Sequence, residues 1–314
     1  MGTFPVRPAA RCGVQTVAVV FDHPGTVDLR ELPLPPLGKG DVAVEIDWTG
    51  VSTGTERLLW AGTMPHFPGL GYPLVPGYEA VGRVTAAGDQ SAKSLGQKVF
   101  VPGAACFGEV RGLFGGAASR LIVPADRVIP VPDELGERAI LLALAATAYH
   151  AAWGSSAHAE PELIIGHGAL GRLLARLAVH FGGTPTVWET NPDRRSGAHG
   201  YQVLDPAEDP DRRFHSIYDV SGDAGLLDRL ISRLAPGGEV VLAGFYHQPL
   251  QFQFAPAFMR EARIRVAAEW RPADLAAVTA LATAGRFSLD NLITHRVAAT
   301  EAPRAYAQAF TDPS

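Results

Sequence analysis

The stretch Leu163-Ile164-Ile165-Gly166-His167-Gly168-Ala169-Leu170-Gly171-Arg172-Leu173-Leu174 decides how the second half of this 314-residue chain is read. Leu163–Ile165 is an apolar triplet with strand character. It runs into a turn with glycine at the first, third and sixth places. Beyond the turn, Leu173, Leu174, Leu177 and Ala178 recur at helical spacing and predict a helix over Leu170–Phe181. The first glycine permits the sharp exit from the strand, the second lets backbone approach a pyrophosphate, and the third lets the helix pack on the sheet. The helix N-terminus adds unpaired amides and a partial positive charge that suit phosphate. The pattern alone is a weak signal, but with a strand before it and an amphipathic helix after it the stretch reads as a dinucleotide cradle. Its candidate contacts are Gly166, His167, Gly168, Ala169, Leu170 and Gly171.

Outward from this turn, strand and helix alternate. Strands are predicted at Thr186–Trp188, Ile217–Val220, Glu239–Ala243 and Arg263–Ala267, with helices at Leu226–Leu234 and Leu275–Ala284. Such alternation implies a doubly wound parallel sheet. Glu189 closes the strand after the turn, where a carboxylate accepts hydrogen bonds from the adenosine ribose and repels a 2′-phosphate, so NAD is expected over NADP. Arg194 and Arg195 leave a phosphate contact open if their loop folds back. Ser221, Gly244 and Phe245 end later strands and are candidates for the nicotinamide half.

The first half is different. Thr16–Phe21, Asp41–Trp48, Ala80–Ala86, Lys98–Val101 and Ala118–Val123 are short runs with strand character, bounded by Pro and Gly. They predict a barrel or curled sheet. Ala139–Trp153, rich in Ala and Leu, predicts a buried helix; a short strand at Ile293–Val297 and a helix at Ala302–Phe310 close the chain. The expected division is a first domain over 1–150, completed by 288–314, and a dinucleotide-binding domain over 151–287.

Composition excludes several classes. Apolar residues make up 47% and charged residues 19%, as in a globular protein, and the net charge of -5 offers no basic face to nucleic acid. Two cysteines, Cys12 and Cys106, cannot build a disulfide framework or a four-cysteine zinc site. No apolar run reaches the roughly 20 residues that span a bilayer. A cytoplasmic protein is expected, and loose contact with a membrane surface is compatible with the sequence.

A barrel, a dinucleotide fold and a short return resemble the medium-chain dehydrogenase/reductase superfamily. The segments carrying the resemblance are Gly50-Val51-Ser52-Thr53-Gly54-Thr55-Glu56, Pro76-Gly77-Tyr78-Glu79-Ala80-Val81-Gly82, Ala146-Thr147-Ala148-Tyr149, the glycine turn and Gly237-Gly238. The resemblance implies a GroES-like N-terminal domain and a Rossmann domain. Zinc alcohol dehydrogenases of the superfamily carry Cys in the first segment, His-Glu in the second and Cys just before the third. Here Ser52 and Thr53, Tyr78 and Ala143 stand there instead. Zinc wants thiolate or imidazole ligands, so a site with no metal is expected. Leu58-Leu59-Trp60-Ala61-Gly62, Met64-Pro65, Phe67-Pro68-Gly69, Gly71-Tyr72-Pro73, Gly112-Leu113-Phe114-Gly115-Gly116-Ala117 and Leu142–His150 narrow the match. They resemble the 3-hydroxyethyl bacteriochlorophyllide a dehydrogenases of bacteriochlorophyll synthesis. That resemblance implies NAD-dependent oxidation of a 3-(1-hydroxyethyl) side chain to 3-acetyl on a flat macrocycle.

Oxidising an alcohol without zinc leaves the hydroxyl proton to side chains. Tyr78 and Glu79, in the former ligand motif, come first; Thr53, Ser52 and Glu56 are supporting candidates, and His150 is a third option. Packing, capping and structural ion pairs are the plainer readings of the same residues. Trp60, Met64, Phe67, Tyr72, Phe107 and Phe114 are candidate walls for the macrocycle, with core packing as their alternative. Superfamily members often pair through the Rossmann sheet edge, so a homodimer is expected by resemblance. Two other functions fit the sequence: a zinc-free quinone or enone reductase, and a non-catalytic dinucleotide-binding redox sensor.

Overall fold

The computed structural model describes residues 14–66, 68–154, 159–209 and 212–311. Cys12 and the candidate wall residue Phe67 lie outside them. The first half comprises β1 (Gln15–Val20), β2 (Asp28–Pro33), β3 (Asp41–Thr49), α1 (Thr55–Ala61), β4 (Leu74–Val75), β5 (Ala80–Ala87), β6 (Lys98–Val101), β7 (Arg111–Gly112), β8 (Arg120–Pro124) and β9 (Ile129–Pro130). β8-β3-β5-β6-β9 form one antiparallel five-stranded sheet. The β1–β2 hairpin and the short β4–β7 pair flank it, joined by bridges from Ala18 to Ala118 and Phe21 to Leu74. Alternation along β5 explains the fold locally: Val84 is buried while Arg83 and Thr85 face outward.

The second half comprises α2 (Leu142–Trp153), β10 (Leu163–Ile165), α3 (Ala169–His180), β11 (Thr186–Trp188), β12 (Gln202–Leu204), β13 (Phe214–Asp219), α4 (Leu227–Ser232), β14 (Leu234–Leu242), α5 (Phe254–Met259), β15 (Arg263–Val266), α6 (Pro272–Thr283) and α7 (Ala302–Thr311). Its sheet runs β12-β11-β10-β13-β14-β15 and every neighbouring pair is parallel. Counted from β10 this is the order 3-2-1-4-5-6 of a dinucleotide-binding Rossmann sheet. The chain direction reverses across the sheet between β10 and β13, and that switch point opens the ligand crevice at their C-terminal ends.

The buried apolar residues form three clusters. The first fills the β-rich half and takes in Ala302, Tyr306 and Phe310 of α7. The second joins Val81 and Phe100 to α2, α3 and α6. The third lies on the other face of the parallel sheet, under α4.

Three sequence expectations change. Ile293–Val297 forms no strand: Thr294–Val297 are exposed, and Arg296 is held by a two-pronged ion pair to Glu137 instead of a strand partner. The helix expected from Ala139 begins as a 3-10 segment, Asp133–Leu141, and becomes α-helical only at Leu142. The strand expected from Glu239 starts earlier, at Leu234, so that Pro236-Gly237-Gly238 lies inside β14, where the pairing with β13 shifts register.

Candidate active site

The glycine turn leaves β10 with Gly166 at φ +99, a left-handed conformation that glycine adopts without strain. The Gly166 N–H donates to the Trp188 carbonyl at 2.9 Å. A side chain on Gly171 would collide with the Gly166 carbonyl oxygen, so the third glycine is what lets α3 close on the turn. Gly168 is exposed, with nothing within 4 Å of where a Cβ would lie. No side chain caps α3. Ala169 and Leu170, both half-buried, open the helix with amides that have no helical partner, which is a fitting cradle for a pyrophosphate.

Glu189 is buried and grips the same turn. Its Oε2 accepts from the His167 N–H at 2.9 Å and its Oε1 from the Asn191 N–H at 2.8 Å. A carboxylate oxygen has a second lone pair, so these bonds leave capacity for a ribose hydroxyl. His167 is buried with both ring nitrogens engaged. Nδ1 lies 2.6 Å from the Arg194 carbonyl, an acceptor only, so Nδ1 carries the proton and Nε2 accepts from the Tyr201 hydroxyl at 2.8 Å. Burial, the largest effect, pushes its pKa below the ordinary histidine value and keeps it neutral. Arg195 donates to the carbonyls of Glu189 and Thr190 and pairs with Asp205. The guanidinium that left a 2′-phosphate contact open is thus tied into its own loop.

Across the crevice, both the backbone N–H and the hydroxyl of Ser221 donate to Asp219 Oδ1, at 2.9 and 2.6 Å. Gly244 abuts the Gly222 amide, and the exposed Phe245 ring stands at the end of β14. Ser221 lies next to the turn itself, its Cα 3.7 Å from where a Cβ on Gly166 would stand.

A second group of polar side chains gathers in the β-rich half. Glu56, in the first turn of α1, folds back so that Oε1 accepts from the Ser52 N–H at 3.0 Å, and its own N–H donates to the Ser52 carbonyl. Tyr78 donates from its hydroxyl to Ser52 Oγ at 2.7 Å, and its ring meets Phe114 edge-on at 5.3 Å. Glu79 follows on the short turn into β5, and its carbonyl accepts from Gly50 N–H at 2.8 Å. Gly50 has to be glycine, because a Cβ there would strike the Glu79 carboxyl group. Glu56 and Glu79 are fully buried, and Ser52 nearly so, whereas Tyr78 keeps a partly exposed surface. Tyr78 is therefore the member of the group with surface left open, although its phenol end is buried.

Burial without a compensating cation dominates the electrostatics. Desolvation raises the Glu56 pKa to about 7, against the Ser52 N–H donation and the influence of the nearby Tyr306 hydroxyl. Desolvation, reinforced by the charge of Glu56, raises Glu79 to about 8. The Tyr78 phenol is pushed up by burial and then by Glu79, so it stays protonated. Tyr306 was no candidate in the sequence. α7 carries it into the cluster, and the spacing Ala302, Tyr306, Phe310 of that helix's buried face is the signal that could have found it.

The remaining candidates fall elsewhere. Thr53 is exposed. His150 is buried between α2 and α6, with Nδ1 2.8 Å from Asp274, and does not join the Tyr78 group; Asp274 also accepts from the Arg271 N–H at the start of α6. Met64 and Phe107 are buried in the first cluster. Trp60 packs on Phe310 of α7, and the Tyr72 hydroxyl donates to the Leu59 carbonyl. Both, like Phe114, keep partial exposure. Ala143 is fully buried and offers no donor atom, and Ser52 Oγ is occupied by Tyr78. Among the described residues no three His, Cys, Asp or Glu side chains are grouped to hold a metal ion.

Residues 38–133 match the alcohol dehydrogenase GroES-like domain. Two solved structures share the fold: a short chain alcohol dehydrogenase from Escherichia coli CFT073 complexed with NADH (TM-score 0.80, 19% identity, 96% of this chain and 97% of that chain), and L-idonate 5-dehydrogenase from Escherichia coli K-12 (TM-score 0.82, 18% identity, 96% of each). The 2-desacetyl-2-hydroxyethyl bacteriochlorophyllide A dehydrogenase of Rhodobacter capsulatus is 54% identical over 302 residues, with 96% of each chain covered. A protein of the same name from Cereibacter sphaeroides is 53% identical over 306 residues, again with 96% of each covered. Identity at that level over almost the whole length shows that the chain belongs to the family of 2-desacetyl-2-hydroxyethyl bacteriochlorophyllide A dehydrogenases.

Proposed function

We propose that this protein oxidises the 3-(1-hydroxyethyl) group of a bacteriochlorophyllide to 3-acetyl, with NAD as hydride acceptor and without a catalytic zinc ion. The observation that carries the reading is the 54% identity to a dehydrogenase of that name across 96% of both chains. The glycine turn would hold the pyrophosphate of NAD, whose nicotinamide would supply the hydride-accepting carbon. Glu189, buried against that turn, favours NAD over NADP, because a 2′-phosphate would be brought against its carboxylate.

The residues at the zinc positions do not fit zinc. Hydroxyls and an alanine replace thiolate and imidazole. Proton transfer falls instead to the Tyr78 group. Tyr78 receives the substrate hydroxyl proton as it passes its own to Ser52 Oγ, and Glu56, whose Oε1 accepts from the backbone N–H of the same serine, is the neighbouring carboxylate to which Ser52 would pass its hydroxyl proton. Because the phenol stays protonated, Tyr78 serves as a relay rather than as the resting base. Phe114, edge-on to Tyr78, with Trp60 and Tyr72, supplies aromatic surface for the macrocycle near the relay.

The same reading has the chain act as a homodimer joined at the open edge of β15, and as a cytoplasmic protein; no helix among the described residues is long and apolar enough to cross a membrane. The first domain, 1–150 with 288–314, would carry the relay, and 151–287 the cofactor.

The decisive assay adds NAD or NADP to the purified protein with 3-(1-hydroxyethyl) bacteriochlorophyllide. The chlorin absorption band is expected to shift as NADH accumulates, with NAD giving the higher kcat/KM. No shift with either cofactor would sink the assignment, and quinone reduction in its place would move the protein to the reductase reading.

A further inference from the structure

Beside Tyr78 and Ser52 lie two buried carboxyl groups that no cation among the described residues balances. Glu56 from α1, Glu79 from the turn before β5 and Tyr306 from α7 are each nine-tenths buried or more. Each ends in a buried oxygen without a hydrogen-bond partner among the described residues: Glu56 Oε2, Glu79 Oε1 and the Tyr306 hydroxyl. The groups acting on the pair are the Ser52 backbone and Tyr306 on Glu56, and Glu56 on Glu79; Tyr78, with Ser52 and Thr55 beside it, feels both carboxyls. Among the described residues no arginine, lysine or histidine acts on either. Two carboxylates enclosed together without a cation repel strongly, whereas two carboxylic acids would leave no base.

We propose that Glu56 and Glu79 hold a single proton between them, and that the Tyr306 hydroxyl, carried in by the C-terminal helix, keeps Glu56 as the ionised partner. Glu56 has the better claim to the charge, because the Ser52 N–H already donates to Oε1 and the Tyr306 hydroxyl, itself without a partner among the described residues, is near enough to act on the same carboxyl. Glu79 Oε1 has no donor and keeps the proton. The inference rests on the relay reading only for its catalytic use. In that use the C–H electron pair leaves as hydride to the nicotinamide and the O–H proton arrives at Glu56. The pair then holds two protons, and one returns to solvent along the same path after the ketone leaves. Tyr306 touches no reacting atom; it is a positioning residue.

Infrared spectroscopy of the protein without substrate reads the proton directly. Just above neutral pH a carbonyl band of a protonated carboxylic acid is expected, and Glu79→Gln should remove most of it. Tyr306→Phe keeps the ring against Phe21 and Phe310, so the fold is retained. It should move the titration of Glu56, and with it the rising limb of kcat/KM, about one pH unit upward, a roughly tenfold loss below the limb with KM unchanged. A missing band, a band indifferent to Glu79→Gln, or an unmoved titration in Tyr306→Phe would overturn the proposal. If the band behaves as expected while Glu56→Gln turns over like the parent, the shared proton stands and the relay falls.

Discussion

Glycines that look alike in the sequence differ in what surrounds them. Gly171 has the Gly166 carbonyl where a Cβ would go, and Gly168 has open space. Gly171→Ala is therefore expected to lower Tm, by forcing backbone apart at a cost of about 1–3 kcal/mol, and to weaken NADH binding as a consequence. Gly168→Ala should leave Tm nearly unchanged and still weaken NADH binding about tenfold or more, because its methyl group points where the pyrophosphate approaches. Thermal melts and NADH fluorescence titrations of the two variants separate these effects; equal affinity in Gly168→Ala and the parent would place the phosphates elsewhere. Much of this site was legible in the sequence. Glycine spacing after an apolar strand has few physical outcomes, and Ser52, Tyr78 and Glu79 were marked because they stand in a motif. Tyr306 was not, because its place beside Glu56 depends on where α7 docks, some 250 residues away in the chain. His150 misled for the opposite reason. Its pairing with Asp274, and not its identity, fixes what it does.

Among the elements, those with a strong period or composition were legible to within a few residues, as at β6, β10 and β11. The two-residue β4, β7 and β9 carry no period to read, and β2 mixes charges with leucines on a mostly uncovered hairpin. Ile293–Val297 shows the converse: alternation in the sequence makes no strand where no sheet edge is offered. One edge that is offered is β15. Among the described residues it pairs only with β14, and its Val266 is 73% exposed; in α5, which precedes it in the chain, Phe254, Phe258 and Met259 are 72%, 65% and 75% exposed. A row of unpaired backbone groups with an exposed valine fits edge-to-edge pairing with a second copy. Light scattering at micromolar concentration should give a dimer for the parent chain. Val266→Lys, which puts a charge into that seam, should give a monomer that still binds NADH. A parent chain that is monomeric throughout would remove the dimer from the proposed function.

At the scale of the whole molecule, the buried carboxyl pair makes stability depend on pH in an unusual direction. Glu56 and Glu79 titrate near 7 and 8 when folded, against an ordinary value of 4.5. Between about 4.5 and 8 the folded protein therefore holds protons that the unfolded chain has released, and stability falls as pH rises, by at most about 1.4 kcal/mol per unit for each group. Asp219, raised by burial, acts in the same direction. His167 acts against them, because its lowered pKa means that the unfolded chain binds the extra proton, but its contribution is complete above 6.5. Glu137 and Asp290, lowered by Arg296 and Arg138, act below the ordinary carboxylate range. The window from 6.5 to 8 is thus left to the carboxyl pair. Melting temperatures in overlapping buffers should decline across it, and Glu79→Gln should flatten the decline by removing one titrating group and the charge repulsion on the other. A parent chain whose Tm holds constant from 6.5 to 8 would mean that both carboxyls are ionised in the folded state. Their charges would then need a counter-ion that none of the described residues provides.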